Sequence, residues 1–165
     1  HSLPVTVLLA PYLAGAWLNS RWWTRHRPQA DEIAAGVWLG RLPTADEMAA
    51  ARFAGILDLT AELPGPRGAW RYEGLPWLDL VPPDTGQLVE AVQRIATLRE
   101  QGPLLVCCAL GYSRSACAVA AWLLRSGQAV DVDAAISRLR EKRPEVVLGP
   151  AHRAALAAFH ERCHV

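Results

Sequence analysis

The sequence predicts an α/β domain in which a central mixed or parallel sheet is flanked by helices. Short apolar segments bounded by glycine or proline alternate with segments of helical periodicity along most of the chain, and helices dominate its last third. A length of 165 residues suits one domain with its own core. With 52% hydrophobic and 20% charged residues, the composition is that of a globular chain rather than a disordered one.

Four segments are predicted to be strands. Residues 36–40 and 70–77 are short and bounded by glycine or by turn-forming residues. The segments 55–60 and 103–108 are largely apolar, which is typical of strands that are buried on both faces. Of the four, 103–108 is expected to lie at the centre of the sheet. Residues 28–33 are interpreted as a linker that leads into the domain.

Caps and periodicity predict five helices. Thr44 and Glu47 form a capping-box pattern, so a helix is expected to begin at Thr44 and to end near Phe53. Later helix starts are indicated by a cap in the loop 81–86, by Asp131 and by Pro150. The helices predicted after the first cover approximately 88–98, 113–124, 131–142 and 150–162.

The first 27 residues differ in character from the rest. Residues 3–20 carry no charge and are followed by Trp22, Trp23 and three arginines, a pattern typical of the end of a membrane-spanning helix and its cytoplasmic flank. We therefore divide the chain into an apolar, juxtamembrane-like segment, 1–27, and the main domain, 28–165, in which the candidate catalytic residues described below are found. The prediction is attachment to the cytoplasmic face of a membrane. The alternative is an apolar helical appendage that packs on the domain, which Pro4 and Pro11 favour.

Charge and cysteine content limit the functional classes. A formal net charge of +1 provides no general attraction for nucleic acid, so no nucleic-acid partner is expected and any anion must be bound by a local site. The four cysteines are Cys107, Cys108, Cys117 and Cys163. They are too few for a disulfide scaffold in a chain of this length, which favours a reducing compartment and a reactive cysteine.

The chemistry is concentrated between the predicted central strand and the helix that follows it. Cys108 ends the strand, and Arg114 begins the helix six residues later. Backbone N–H groups of the intervening turn and the helix N-terminus can surround an anion, and Gly111 permits the backbone angles of such a turn. Arg114 can donate two hydrogen bonds to a phosphoryl group. The same positive surroundings favour the thiolate form of Cys108, and Ser115 can donate a hydrogen bond to it.

This pattern resembles the signature of the protein tyrosine and dual-specificity phosphatases, in which Cys-x5-Arg is followed by Ser. The run 111–115 is similar to the dual-specificity version. Tyr72 and Gly74 followed by Asp79 resemble the strand and acid loop of that family, and Arg143-Pro144 and Gly149-Pro150 resemble the segment before its last helix. The resemblance covers approximately 33–163. It extends to bacterial dual-specificity domains fused to membrane-embedded lipid-phosphatase-like regions.

Two departures from the family pattern stand out. Cys107 occupies the place where the family usually has a histidine that orders the loop. The variable loop positions carry no charge, whereas family members that act on polyphosphorylated inositol lipids often have lysines there; these positions are Ala109, Leu110, Tyr112 and Ser113.

The resemblance implies a two-step hydrolysis of phosphomonoesters that needs no metal or cofactor. Cys108 is the implied nucleophile, Arg114 and the loop 109–113 bind the phosphate, and Ser115 assists the departure of the sulfur. Asp79 aligns with the general acid. Asp84 is the alternative, although a helix-capping role explains it well. Apolar neighbours of Asp79 at 78, 80 and 81 are expected to exclude water from its carboxyl group.

The implied substrate is a phosphoprotein carrying phosphorylated Ser, Thr or Tyr. One alternative is a phospholipid substrate, such as a phosphatidylglycerophosphate- or phosphoinositide-type lipid, which the apolar N-terminal segment favours. Another is an inactive phosphate-binding module. Arsenate reductases and rhodanese-like proteins also bind anions in a loop that follows a cysteine, but the upstream Asp79 favours the phosphatase.

Overall fold

A five-stranded sheet with helices on both faces forms the described part of the chain. The structure is a computed structural model that describes residues 11, 14, 15, 17–19, 21, 22, 24–26 and 28–163. The strands are β1 (Ala30–Ala34), β2 (Val37–Arg41), β3 (Gly55–Thr60), β4 (Arg71–Trp77) and β5 (Leu104–Cys108). The helices are α1 (Ala45–Ala51), α2 (Thr85–Arg99), α3 (Arg114–Arg125), α4 (Val132–Lys142) and α5 (Pro150–Cys163). These elements confirm the predicted α/β class.

The strand β5 lies at the centre of the sheet, as predicted. The order is β1-β2-β5-β3-β4, and only the edge strand β1 is antiparallel to its neighbour. Val106 of β5 pairs with Leu39 of β2 on one side and with Leu57 of β3 on the other. All five residues of β5 are buried, which its apolar sequence requires because helices cover both faces of a parallel sheet.

Strand alternation separates the two adjacent cysteines. Cys108 faces the larger core, which the helices α2 to α5 cover, and Cys107 faces a smaller core that includes Met48 of α1 and Phe53. Successive side chains of a strand point to opposite faces, so only one of two adjacent cysteines can face the loop that follows.

The predicted helix caps are present. The Thr44 hydroxyl accepts a hydrogen bond from the Glu47 amide at 3.2 Å, and the Glu47 carboxylate accepts one from the Thr44 amide at 2.8 Å. The helix α1 ends at Ala51 because Arg52 adopts a left-handed conformation with φ of 55°. Asp84 caps α2 in the same reciprocal way with Gln87, at 2.8 and 2.9 Å.

The predicted linker at 28–33 is wrong in part, because residues 30–34 form β1. This strand pairs with β2 through a tight turn at Ala35 and Gly36, both of which have positive φ. The segment contains two acidic residues and lacks the apolar character of a buried strand. An edge strand tolerates charge because one of its sides is exposed, and Asp31 is in addition paired with the buried Arg143 at 2.8 Å.

The described residues between 11 and 24 are helical and contact the catalytic domain through Arg21. Its guanidinium binds the Glu47 carboxylate at 3.1 Å and the Leu42 carbonyl oxygen at 3.1 Å. Within the part of the chain that the structure describes, no helix has the length and apolar character needed to cross a membrane. Residues 1–10, 12, 13, 16, 20, 23 and 27 lie outside that part, and membrane attachment of 1–27 stays a prediction.

Candidate active site

The loop between β5 and α3 folds around the sulfur of Cys108. The Gly111 amide lies 3.3 Å from Cys108 Sγ and the Ser115 hydroxyl lies 3.2 Å from it, both in positions to donate hydrogen bonds. Cys108 is only 2% exposed, and the N-terminus of α3 points its amide groups toward the same loop. Two hydrogen-bond donors and a helix N-terminus therefore surround this sulfur on the side of the loop.

Gly111 is required by the shape of this loop. Its φ is +76°, a conformation that residues with a side chain adopt only with strain. A Cβ atom at this position would lie 2.4 Å from the Gly40 carbonyl carbon and 2.5 Å from its oxygen. The end of β2 therefore packs directly against the loop.

Arg114 is held from three directions. Its guanidinium donates to both carboxylate oxygens of Glu62, at 2.6 and 2.7 Å, and to the carbonyl oxygen of Trp77 at 3.2 Å. Its Nε lies 3.3 Å from a carboxylate oxygen of Asp79. Burial by itself would lower the pKa of Arg114, but the bonds to Glu62 and the negative charges nearby outweigh it and raise that pKa. The guanidinium is therefore permanently charged and fixed in orientation.

Glu62 is a site residue that the sequence motifs do not identify, because it lies between the predicted strands 55–60 and 70–77 and outside every motif. Burial would raise the pKa of Glu62, but the hydrogen bonds and charge of Arg114 dominate and lower it. The position of Glu62 in the chain does provide a signal for its role. Glu62 comes two residues after β3, and the carboxyl ends of parallel neighbouring strands such as β3 and β5 meet at one edge of the sheet.

The structure brings Asp79 to the cavity that contains Cys108 and Arg114, whereas Asp84 caps α2 and is not among the residues that line it. The expectation that apolar neighbours exclude water from Asp79 is wrong. Its side chain is 58% exposed, and Leu78 and Leu80 are 68% and 86% exposed. The segment 78–81 lies between β4 and α2, and Leu80 adopts a left-handed φ of 62°, so these side chains point into solvent instead of packing over the carboxylate.

Arg143 orients the loop from behind. This buried guanidinium donates to the carbonyl oxygens of Gly111 at 3.1 Å and Leu110 at 3.2 Å, and it pairs with Asp31 at 2.8 Å. In a trans peptide the carbonyl and the following N–H point in opposite directions. Arg143 therefore turns the next amides toward the sulfur side. The sequence indicates Arg143 only as part of a family-like segment and does not predict this role.

Cys107, in the place of the usual histidine, belongs to a buried polar cluster on the opposite face. Its sulfur lies 3.9 Å from Asp58, whose carboxylate accepts hydrogen bonds from the Thr60 amide and the Tyr72 hydroxyl, both at 2.8 Å. Burial and the negative charge of Asp58 raise the pKa of the Cys107 thiol well above its usual value. Burial also raises the pKa of Cys117 to about 12. Of the three buried cysteines, only Cys108 accepts hydrogen bonds from the loop.

His152 joins the site from the first turn of α5. Its Nε2 lies 3.3 Å from the Ser113 hydroxyl, and the Val147 amide donates to the Tyr112 carbonyl oxygen at 2.8 Å. Burial lowers the pKa of His152, and the negative charge of Asp79 opposes this only in part. The imidazole is therefore predominantly neutral at pH 7. No sequence motif identifies this residue.

Cys108 and Arg114 line one open cavity of about 780 Å³. Its floor is the predicted phosphate-binding loop, and its walls include Glu62, Asp79, His152 and, from the N-terminal helical residues, Gly15 and Asn19. Among the described residues, no group of three or more His, Cys, Asp or Glu side chains is arranged to hold a metal ion. The cavity thus combines a cysteine sulfur, a fixed guanidinium and a carboxyl group at one opening.

A cysteine sulfur surrounded by loop donors, with an arginine at the start of the next helix and an aspartate at the same cavity, is typical of cysteine-dependent phosphatases. The sequence matches the family model described as "Dual specificity phosphatase, catalytic domain" over residues 38–162. This chain belongs to the dual-specificity phosphatase family and is a cysteine-dependent phosphatase. The predicted resemblance to the dual-specificity phosphatase family is thereby confirmed. No curated protein sequence matches the chain significantly.

Solved structures share the fold. Tk-PTP in its active form is 28% identical, with a TM-score of 0.72 over 82% of this chain and 98% of the other. Human DUSP28 is 22% identical, with a TM-score of 0.72 over 84% and 97%. PTPMT1 in complex with PI(5)P is 21% identical, with a TM-score of 0.71 over 83% and 97%. Because human DUSP28 and PTPMT1 are only 22% and 21% identical to this chain, their likeness to it extends to the fold alone.

Proposed function

We propose that this protein hydrolyses phosphomonoesters in two steps through a phosphocysteine at Cys108. The observation that carries the proposal is the double hydrogen bonding of Cys108 Sγ, by the Gly111 amide at 3.3 Å and the Ser115 hydroxyl at 3.2 Å, at the bottom of a cavity that Arg114 and Asp79 also line. A thiolate needs such donors in order to persist at neutral pH.

In the first step the thiolate of Cys108 attacks phosphorus, and the bond from phosphorus to the leaving oxygen breaks. Arg114 and the loop amides bind the other phosphoryl oxygens, where negative charge accumulates in the transition state. Asp79 gives its proton to the leaving oxygen. Its exposed position at the mouth of the cavity, beside Arg114, suits a donor that must meet the outer part of a substrate.

In the second step Asp79, now a carboxylate, takes a proton from a water molecule that attacks phosphorus. The bond from phosphorus to sulfur breaks, and inorganic phosphate is released. The Ser115 hydroxyl donates a hydrogen bond to the departing thiolate, which stabilises it as a leaving group. Arg114 and the loop amides supply the electrophilic assistance in both steps, so no metal is required.

The test is phosphate release from p-nitrophenyl phosphate in the presence of EDTA. We expect an active wild type, no turnover by Cys108→Ser, and a loss of about 100-fold for Asp79→Asn. The matched control is Asp84→Asn, which retains a helix-capping side chain and is expected to stay close to the wild type. An inactive wild type, or turnover by Cys108→Ser, rejects the mechanism. A large loss in Asp84→Asn with normal activity in Asp79→Asn transfers the acid role to Asp84.

The phosphoprotein substrate stays a prediction from the family resemblance. A lipid phosphate is a second candidate, and a specific observation favours it: Leu78 and Leu80, on both sides of the proposed acid, are 68% and 86% exposed to solvent. Large exposed apolar groups at a site opening are typical of surfaces that meet another apolar phase. An inactive binding module is disfavoured, because Cys108, Arg114 and Asp79 line the same cavity.

A further inference from the structure

Exposed apolar side chains surround the mouth of the cavity. Leu78, Leu80 and Val81 are 68%, 86% and 50% exposed, and Val147, from the segment before α5, is 63% exposed. We call these four residues the apolar rim. Leu80 and Val147 also line the cavity itself, so the rim is continuous with the proposed catalytic site.

The N-terminal helical residues extend this rim. Gly15 and Asn19 line the cavity, and Arg21 holds the helix on the catalytic domain through Glu47 and Leu42. Leu18 and Trp22 are four residues apart and therefore share one side of the helix, where they are 61% and 66% exposed.

Arg21 and Arg25 form a cationic edge next to this exposed face. The Arg25 guanidinium stacks on the Trp22 ring at 3.7 Å from its centroid, and Arg21 lies 5.2 Å from the centroid of the Trp17 ring. A tryptophan beside an arginine, next to exposed aliphatic side chains, is the arrangement that sits at the headgroup level of a bilayer. Its positive charge complements anionic headgroups.

The charges inside the cavity limit what can be bound there. Among the described residues that line it, Arg114 is the only arginine or lysine, and its charge is opposed by Glu62 and Asp79. His152 is predominantly neutral because burial lowers its pKa. The site can bind one phosphoryl group on the loop, but its described lining provides no further arginine or lysine for additional phosphates.

We propose that the apolar rim and the exposed helix face dock on a lipid bilayer, and that the substrate is a lipid whose headgroup ends in a single phosphomonoester. This inference rests on the proposed phosphatase function and adds its substrate class and its place of action. The apolar rim enters the apolar part of the membrane surface, and the cationic edge lies among the headgroups. The terminal phosphate of the lipid then reaches the phosphate-binding loop below.

The test compares one substrate in a membrane with one in solution. Hydrolysis of dioleoyl phosphatidic acid in phosphatidylcholine vesicles is measured beside hydrolysis of p-nitrophenyl phosphate. In the triple variant Leu18→Ser/Trp22→Ser/Leu78→Ser we expect the ratio of the vesicle rate to the soluble rate to fall at least about tenfold, because each removed apolar side chain weakens partitioning. Co-sedimentation with the vesicles falls in parallel.

The matched control is Val130→Ser. Val130 is 81% exposed, but it follows the opposite end of α3, a helix of 12 residues that begins at Arg114 and is about 18 Å long. The ratio of rates is expected to equal that of the wild type. A second comparison uses Arg25→Gln, which should weaken sedimentation with vesicles containing phosphatidylglycerol and leave sedimentation with neutral vesicles unchanged.

The outcomes separate this inference from the proposed function. A wild type that does not hydrolyse p-nitrophenyl phosphate rejects the phosphatase mechanism itself. A wild type that hydrolyses p-nitrophenyl phosphate but neither sediments with vesicles nor hydrolyses phosphatidic acid overturns only the docking proposal. The proposal is equally overturned if the triple variant retains the vesicle ratio and loses hydrolysis of a phosphotyrosine peptide, since the rim would then bind protein.

Discussion

Glu62 binds the guanidinium of Arg114 through both carboxylate oxygens, at 2.6 and 2.7 Å, although 52 residues separate them in the chain. The pair fixes the plane of the arginine and keeps a buried charge neutralised before any phosphate arrives. The phosphate-binding geometry therefore depends on a loop that follows β3 as well as on the loop that contains the nucleophile.

We predict that Glu62→Gln lowers kcat/KM by about 10- to 100-fold, because Arg114 loses its fixed orientation and small misplacements of a binding group are costly. The measurement is steady-state kinetics together with competitive inhibition by inorganic phosphate, whose affinity should fall as well. Glu73→Gln is the control, since Glu73 binds Arg71 and Arg94 on the outer surface. Equal effects in the two variants would contradict a specific role for Glu62.

Arg143 is predicted to be essential for the shape of the loop and for stability. Arg143→Met removes the donors to Leu110 and Gly111 and leaves Asp31 without this partner, which we expect to cost about 3–5 kcal/mol of the free energy of unfolding. Urea denaturation measures this loss. Arg153→Met, which removes an ion pair between Arg153 and the exposed Asp133, should cost no more than about 1 kcal/mol. A loss below about 1 kcal/mol in Arg143→Met would refute the structural role.

A comparison of two glycines separates backbone strain from steric overlap. Gly111 and Gly127 have similar φ values, +76° and +71°, but an added Cβ meets the Gly40 backbone only at Gly111. We expect Gly127→Ala to lower the free energy of unfolding by about 1–3 kcal/mol through backbone strain alone, and to leave the kinetics normal. Gly111→Ala should also distort the loop and reduce kcat by about 100-fold. Comparable kinetics for the two variants would show that contact with β2 does not shape the loop.

His152 is predicted to make stability pH-dependent on the acid side. Burial lowers its pKa in the folded state below the usual value of 6.5, so the unfolded chain binds this proton more readily. Stability from this group is fully present above pH 6.5 and is lost as the pH falls from there toward the folded-state pKa. Gln at this position can still bond to Ser113 and does not titrate. Between pH 7 and 5, urea unfolding should therefore show a smaller loss of the free energy of unfolding in His152→Gln than in the wild type. Identical losses would refute the prediction.

The sequence determines the parts of this protein that are local in the chain. Cys108, Gly111, Arg114 and Ser115 are all within eight residues, so a strand, a turn and a helix N-terminus suffice to define the phosphate-binding loop. The caps at Thr44 and Asp84 are equally local, because a side chain and an amide three residues away form each of them. Strand alternation also assigned Cys107 and Cys108 to opposite faces.

Only the tertiary structure decided which distant groups meet that loop. Glu62 reaches Arg114 because β3 lies beside β5, and Arg143 reaches Leu110 and Gly111 because α4 ends behind the loop. The edge strand β1 was missed because its Asp31 is stabilised by Arg143, a partner more than a hundred residues away. The exposure of Leu78 and Leu80 likewise follows from the path of a loop. Hydrophobic periodicity and capping record interactions between near neighbours, whereas contacts across a sheet depend on strand order, which no short segment encodes.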